Sequence, residues 1–132
     1  MGRDRDRAGR GEQLAVRPFG VTARRGDIWL VDYGEPVGRE QAGRRPAVVV
    51  SADPLNDSRA GVVMVVPCTT RRRDLPSHVE LESKECGLDE VSYAKCEDLK
   101  SVSEDRLVAR LGTANDEALF AITRALRFLL DF

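Results

Sequence analysis

Two short stretches carry side chains with chemistry to offer: Glu40 and Arg45 in GREQAGRRP (38–46), and Thr69 in VPCTTRRR (66–73). A guanidinium holds a phosphate through parallel N–H···O bonds and stabilises the charge added in a transition state. A carboxylate takes a proton from an attacking hydroxyl. A threonine hydroxyl donates to a phosphoryl oxygen. Together the three suit reaction at a phosphodiester. No metal is needed when the nucleophile is already in the substrate, as the 2′-OH is in RNA. Arg71, Arg72 and Arg73 would hold neighbouring phosphates. Spacing alone leaves a plainer reading open, in which Glu40 and Arg45 form a solvent-exposed ion pair worth about 0–1 kcal/mol.

The chemistry requires that the two stretches meet, and the flanking segments supply the means. AVVVS (47–51), opened by Pro46, and VVMVVP (62–67) are apolar on both faces, which suits central strands. If they pair, Arg45 at the start of one lies near Thr69 and Thr70 at the end of the next. DIWLVDY (27–33) reads as a strand, SHVELE (77–82) alternates as a half-buried one, and VSYAKC (91–96) and LVARLG (107–112) are shorter candidates. ADPLNDSRAG (52–61) is turn chemistry, and EDLKSVSEDRL leaves room for a short strand and a helical turn. Residues 115–132 form the clearest helix: Asn115 caps it, Asp116 and Glu117 suit its first turn, and Leu119, Ile122, Leu126 and Leu129 recur at helical spacing. Its apolar set is broader than one stripe, so it needs a deep groove or a second subunit. The sum is a mainly β fold, a small bent antiparallel sheet or barrel with a C-terminal helix.

The chain has 132 residues, enough for one modest core. Residues 1–24 are rich in Arg, Asp and Gly and read as a flexible N-terminal extension; residues 25–132 are the folded domain. No apolar run is long enough to span a bilayer and no secretory signal opens the chain, so a cytoplasmic protein is expected. Net charge is −1, but it is unevenly spread. Residues 38–73 hold seven arginines (39, 44, 45, 59, 71, 72, 73) against Glu40, Asp53 and Asp57, which suggests an anionic partner at one face. Cys68, Cys86 and Cys96 match no metal-ligand spacing and read as small buried apolar side chains; with one histidine, His78, a metal site is not expected. His78 falls on the polar side of an alternating strand, as a surface or rim residue. Trp29 is expected to pack against the sheet.

At these motifs the chain resembles the MazF/PemK family of toxin endoribonucleases, the mRNA interferases of type II toxin–antitoxin systems. The resemblance rests on RGDIWLVD (25–32), G-x-E-Q-x-G-x-R-P (38–46), AVVVS, VPCTT, LPSHVEL (75–81) and ALRFLL (125–130). It implies an SH3-like barrel of the CcdB/PemK type with a C-terminal helix, a homodimer, and metal-independent, sequence-specific cleavage of single-stranded RNA without a cofactor, leaving 2′,3′-cyclic phosphate and 5′-hydroxyl ends. The family's catalytic arginine falls on Arg45, its catalytic threonine on Thr69 and its loop glutamate on Glu40. Gln41 and Thr70 become candidate RNA contacts, and Arg39, Arg44, Arg71, Arg72 and Arg73 general attraction for phosphate. The implied protein partner is an antitoxin with an acidic, disordered tail. One departure stands out: after VSYAKC the family has an acid, a glutamine, an apolar and a basic residue, and here Glu97 is followed by Asp98, Leu99 and Lys100. Relatives of this fold also include a toxin that poisons DNA gyrase and cleaves nothing, so a non-catalytic binding toxin, or an RNA-binding module, is the competing expectation.

Overall fold

The computed structural model describes residues 22–35, 43–82 and 84–132. Among the described residues seven strands, numbered in chain order, run β1 (Asp27–Asp32), β2 (Arg44–Val49), β3 (Val62–Thr69), β4 (His78–Leu81), β5 (Ser92–Lys95), β6 (Lys100–Ser103) and β7 (Leu107–Thr113). A short helix α1 (Asp53–Asn56) joins β2 to β3, and α2 (Asp116–Leu130) closes the chain. The strand order is β4-β5-β3-β2-β1-β7, with β6 pairing β3. Every described pairing is antiparallel. This is the mainly β sheet with a C-terminal helix that the sequence predicts; it is barrel-like, not a closed barrel.

Strands β1 to β3 are apolar on both faces because both faces are covered. One face sends Ile28, Val48, Val50, Val66 and Cys68 into a cluster with Leu81, Cys86, Cys96 and Ile122 of α2. The other sends Trp29, Val31, Ala47, Val49, Val63 and Val65 into a second cluster with Val102 and Leu107. The cysteines and Trp29 are buried as expected. Curvature comes from the β1–β7 ladder, whose register shifts between Ile28 and Trp29 and again between Leu30 and Val31. β5 and β6 follow one another along β3, interrupted by a 3-10 turn at Cys96–Asp98 that drops the buried Cys96 into the first cluster.

Local chemistry explains several boundaries. Asp27 is buried and takes hydrogen bonds from the Arg24 N–H (2.8 Å), Trp29 Nε1 (3.2 Å) and Arg110 Nε (3.1 Å), so the acid of the RGDIW run is a satisfied buried carboxylate. The folded body includes Ala23, which is buried, and Arg24, which is paired with Asp53 at 3.0 Å and Asp57 at 2.8 Å. The 52–61 turn contains α1, stabilised where Asn56 Nδ2 donates to the Ser51 carbonyl at 3.0 Å. Asn115 caps α2 by accepting from the Ala118 N–H at 2.8 Å.

Candidate active site

Arg45 is the second residue of β2, not a residue in front of it: the strand begins at Arg44, and Arg45 pairs with Val31 of β1. Pro46 therefore lies inside the strand, opposite Leu30. It is tolerated because of the side its nitrogen faces. The Val50 N–H donates to the Met64 carbonyl at 2.9 Å on the β3 side. Hydrogen-bonded partners alternate along an antiparallel ladder, so Val48 with Val66 comes next and Pro46 with Cys68 after that. Pro46 has no N–H to give there. Regular β2–β3 pairing indeed stops at Ala47 opposite Pro67, while β3 itself runs on to Thr69. The two strands part where Arg45 and Thr69 sit. Continuing the register by two residues sets Arg45 level with Thr69.

Alternation along the strands puts both residues on one face. Arg45 follows the parity of Ala47 and Val49, and Thr69 that of Val65, all on the side of the second cluster. Thr69 is half-buried between this opening and Tyr93 of β5. Its Oγ1 accepts the Arg71 N–H at 3.1 Å, which fixes the oxygen and leaves the hydroxyl hydrogen to donate elsewhere. Arg45 is exposed.

The remaining predicted residues divide by setting. Arg44 is exposed, with Nε 3.8 Å from Asp32. Thr70, Arg71, Arg72 and Arg73 are exposed on the segment after β3, and Arg72 is tied to Asp74 at 2.8 Å. Arg39, Glu40 and Gln41 lie outside the described residues. Gly43, at the end of that loop, holds φ +68, a conformation glycine adopts without strain. Among the described residues no three His, Cys, Asp or Glu side chains gather as metal ligands.

The expectation for one more residue changes. His78 is not a surface histidine: its side chain is 2% exposed, with Nε2 2.8 Å from Glu97 Oε2 and Nδ1 buried without a partner. Burial opposes the Glu97 charge, but the His78 hydrogen bond and its own backbone N–H outweigh it and hold the carboxyl below its usual range. Strand alternation could not show this, because its partner Glu97 comes from the Cys96–Asp98 turn, distant in the sequence. Asp98 is held by Lys95 at 3.0 Å.

Sequence reasoning passed over Tyr33 and Lys100. Tyr33 directly follows β1, its N–H donating to the Gly43 carbonyl at 2.8 Å. Its ring joins the second cluster, and the Lys100 ammonium lies 5.7 Å from the ring centre. The Tyr33 hydroxyl is buried without a partner. Burial pushes its pKa up, the neighbouring Cys68 and Asp98 add to this, and Arg45 acts against it. Burial likewise pushes the Cys68 thiol up to about 12, so it is no nucleophile beside Thr69.

Comparison with known proteins bears on this geometry. The model of the PemK-like, MazF-like toxin of type II toxin–antitoxin systems matches residues 24–130. The endoribonuclease EndoA of Bacillus subtilis is 30% identical over 116 residues, covering 85% of this chain and 100% of the relative. The endoribonuclease MazF9 of Mycobacterium tuberculosis is 35% identical over 113 residues, covering 82% of this chain and 96% of the relative. The crystal structure of MazF from Deinococcus radiodurans superposes with a TM-score of 0.72 at 26% identity, covering 85% of this chain and 99% of that one. A MazE–MazF crystal structure from the same organism gives a TM-score of 0.69 at 26% identity, with 83% and 96% covered.

Proposed function

Because the chain belongs to the PemK-like, MazF-like toxin family of type II toxin–antitoxin systems, and as such is an endoribonuclease, we propose that it cuts single-stranded RNA at specific sequences, without a metal, through Arg45, Thr69 and Glu40. The observation that carries this reading is the parting of β2 and β3 at Pro46, with Arg45 and Thr69 on one face of the opening. In the reaction the substrate's 2′-oxygen bonds to phosphorus and the bond from phosphorus to the 5′-oxygen breaks. Glu40 takes the 2′-OH proton, and Arg45 passes a proton to the departing 5′-oxygen and recovers one from water. The products are a 2′,3′-cyclic phosphate and a 5′-hydroxyl. Arg45, anchored by its pairing with Val31, aims its guanidinium at the phosphoryl oxygens, where charge builds up. Thr69, its oxygen fixed by the Arg71 N–H, donates to the same phosphate and orients it. Gln41, Arg39, Arg44, Thr70, Arg71 and Arg73 bind the flanking strand, and Arg72 joins them when RNA competes for its Asp74 pairing.

The natural inhibitor on this reading is an antitoxin with an acidic tail, drawn to the same arginines. MazE and MazF of Deinococcus radiodurans are together in one crystal structure. The apolar outer face of α2 is proposed to join two copies. Among the described residues no helix is long and apolar enough to cross a membrane, and an RNA substrate places the protein in the cytoplasm. Residues 1–24 are proposed to be an extension to the catalytic domain 25–132, with its last residues, Ala23 and Arg24, packed onto that domain.

The test is to incubate mixed-sequence RNA with purified protein in EDTA and map the ends. Cyclic phosphate and 5′-hydroxyl ends are expected with wild type, and none with Arg45→Ala or Thr69→Ala. Uncut RNA with folded wild-type protein overturns the reading, and gyrase inhibition in its place would establish the binding-toxin alternative.

A further inference from the structure

Tyr33 and Lys100 come from strands far apart in the sheet, yet meet at its mouth. β1, which Tyr33 follows, is separated from β6, which carries Lys100, by β2 and β3. Curling of the sheet brings the Lys100 ammonium to 5.7 Å from the Tyr33 ring centre. Both share the face of Arg45 and Thr69: Tyr33 continues the alternation of Trp29 and Val31, and Lys100 pairs with Val65 and precedes Val102 by two residues. Tyr33 is 8% exposed and its hydroxyl has no hydrogen-bond partner. A phenylalanine would fill the same space without the cost of an unmet hydroxyl. A buried polar group lacking a partner in one state of a protein calls for one in another. The group that fits must accept a hydrogen bond and sit beside the Lys100 ammonium, where Arg45 adds positive and Asp98 negative charge. An RNA phosphate meets both conditions.

We propose that Tyr33 and Lys100 form a second phosphate subsite beside the Arg45–Thr69 centre, in which the Tyr33 hydroxyl donates to a phosphate next to the scissile one and Lys100, stationed on the ring, supplies the charge. The inference rests on the reading of the protein as an RNA-cutting enzyme, but its test does not depend on cleavage. Tyr33 is here a positioning residue that fixes where along the cleft the strand lies. The aromatic ring keeps the ammonium over the opening when no substrate is bound, and the phosphate draws it off on binding.

The experiment measures binding of a mixed-sequence 2′-deoxy single strand, which no 2′-hydroxyl attack can cut, over a series of salt concentrations. Wild type, Tyr33→Phe and Lys100→Met are compared, together with steady-state cleavage of the matching RNA. Tyr33→Phe keeps the ring and is expected to weaken binding on the order of tenfold, raising KM by the same factor and changing kcat far less. Lys100→Met is expected to reduce the slope of log affinity against log salt by about 0.7. Tyr33→Phe binding as tightly as wild type would show that the hydroxyl meets no phosphate and overturn the subsite. An unchanged salt slope in Lys100→Met would remove the lysine from it. Wild type that binds the deoxy strand in a Tyr33-dependent way but leaves RNA intact would overturn the cleavage reading and keep the subsite.

Discussion

Lysine at position 45 would keep the charge and lose the fork. The guanidinium binds two phosphoryl oxygens in one plane, whereas an ammonium is a point charge on a flexible stem. Arg45→Lys is therefore expected to lower kcat by about 10²–10³ in single-turnover cleavage, while the urea midpoint stays at the wild-type value because the side chain is exposed. Arg45 was legible in the sequence because a motif carried it. His78 and Tyr33 were not, since their burial depends on elements distant in the chain. The His78–Glu97 pair makes its own prediction. Glu97 titrates below its ordinary 4.5 in the folded state, so its stabilisation is complete above that pH and is lost as pH falls through the folded value. Glu97→Gln should flatten the fall of the urea midpoint on acidification below about pH 5 and lower the midpoint near neutrality. Parallel curves for the two proteins would discount the pair.

Among the elements, β2 shows how far a local rule can mislead. Pro46 reads as the residue that starts a strand, since proline cannot donate to a ladder. The strand nevertheless starts at Arg44, because the missing N–H faces the side where β3 leaves and the β1 pairing does not need it. Which edge a proline turns to its neighbours depends on a register that no single segment contains. The short strand and helical turn read in EDLKSVSEDRL are β6 and the 3-10 turn Glu104–Arg106, and the turn at Cys96–Asp98 between β5 and β6 is what the local pattern did not show. The long central strands and α2, whose apolar periodicity is local, were legible. Pro46→Ala tests the consequence. A restored N–H allows β2 to pair with Cys68, closing the opening between Arg45 and Thr69. Thermal stability should hold or rise, and kcat/KM for RNA should fall by about tenfold or more. Full activity in a stable Pro46→Ala protein would show that the parting has another cause. A stricter constraint holds at Gly87, where φ is +69 and an added Cβ would lie 1.9 Å from the Leu111 carbonyl oxygen. Gly87→Ala should cost more than about 3 kcal/mol in urea unfolding, because the turn before β5 must lift off β7.

For the molecule as a whole, the sequence demanded more cover for α2 than one sheet supplies, and the structure shows where cover is missing. Ile122 is buried against the sheet, while Phe120, Phe128, Leu130 and Phe132 are 65%, 81%, 54% and 73% exposed. Phe128 and Leu129, with Ala121 and Ala125, face a groove whose other wall is Pro76–Glu80 leading into β4. An apolar face of this kind on a small domain marks an interface. A second copy presenting the same helix and groove would meet it about a twofold axis, each Phe128 covering apolar surface on the other copy. The helix does not need the partner to form, since its cap at Asn115 and its anchor at Ile122 are internal. Phe128→Glu puts a charge in the middle of the contact and should leave the fold intact. Sedimentation at micromolar concentration is expected to show wild-type dimer and Phe128→Glu monomer, with circular dichroism unchanged. A wild-type monomer under the same conditions would mean that a different partner covers this face. Because Arg45 and Thr69 face away from α2, on the opposite side of the sheet, cleavage of a short RNA by the monomeric variant would locate the chemistry in one copy. Loss of cleavage with the dimer would mean that the substrate cleft is built by two.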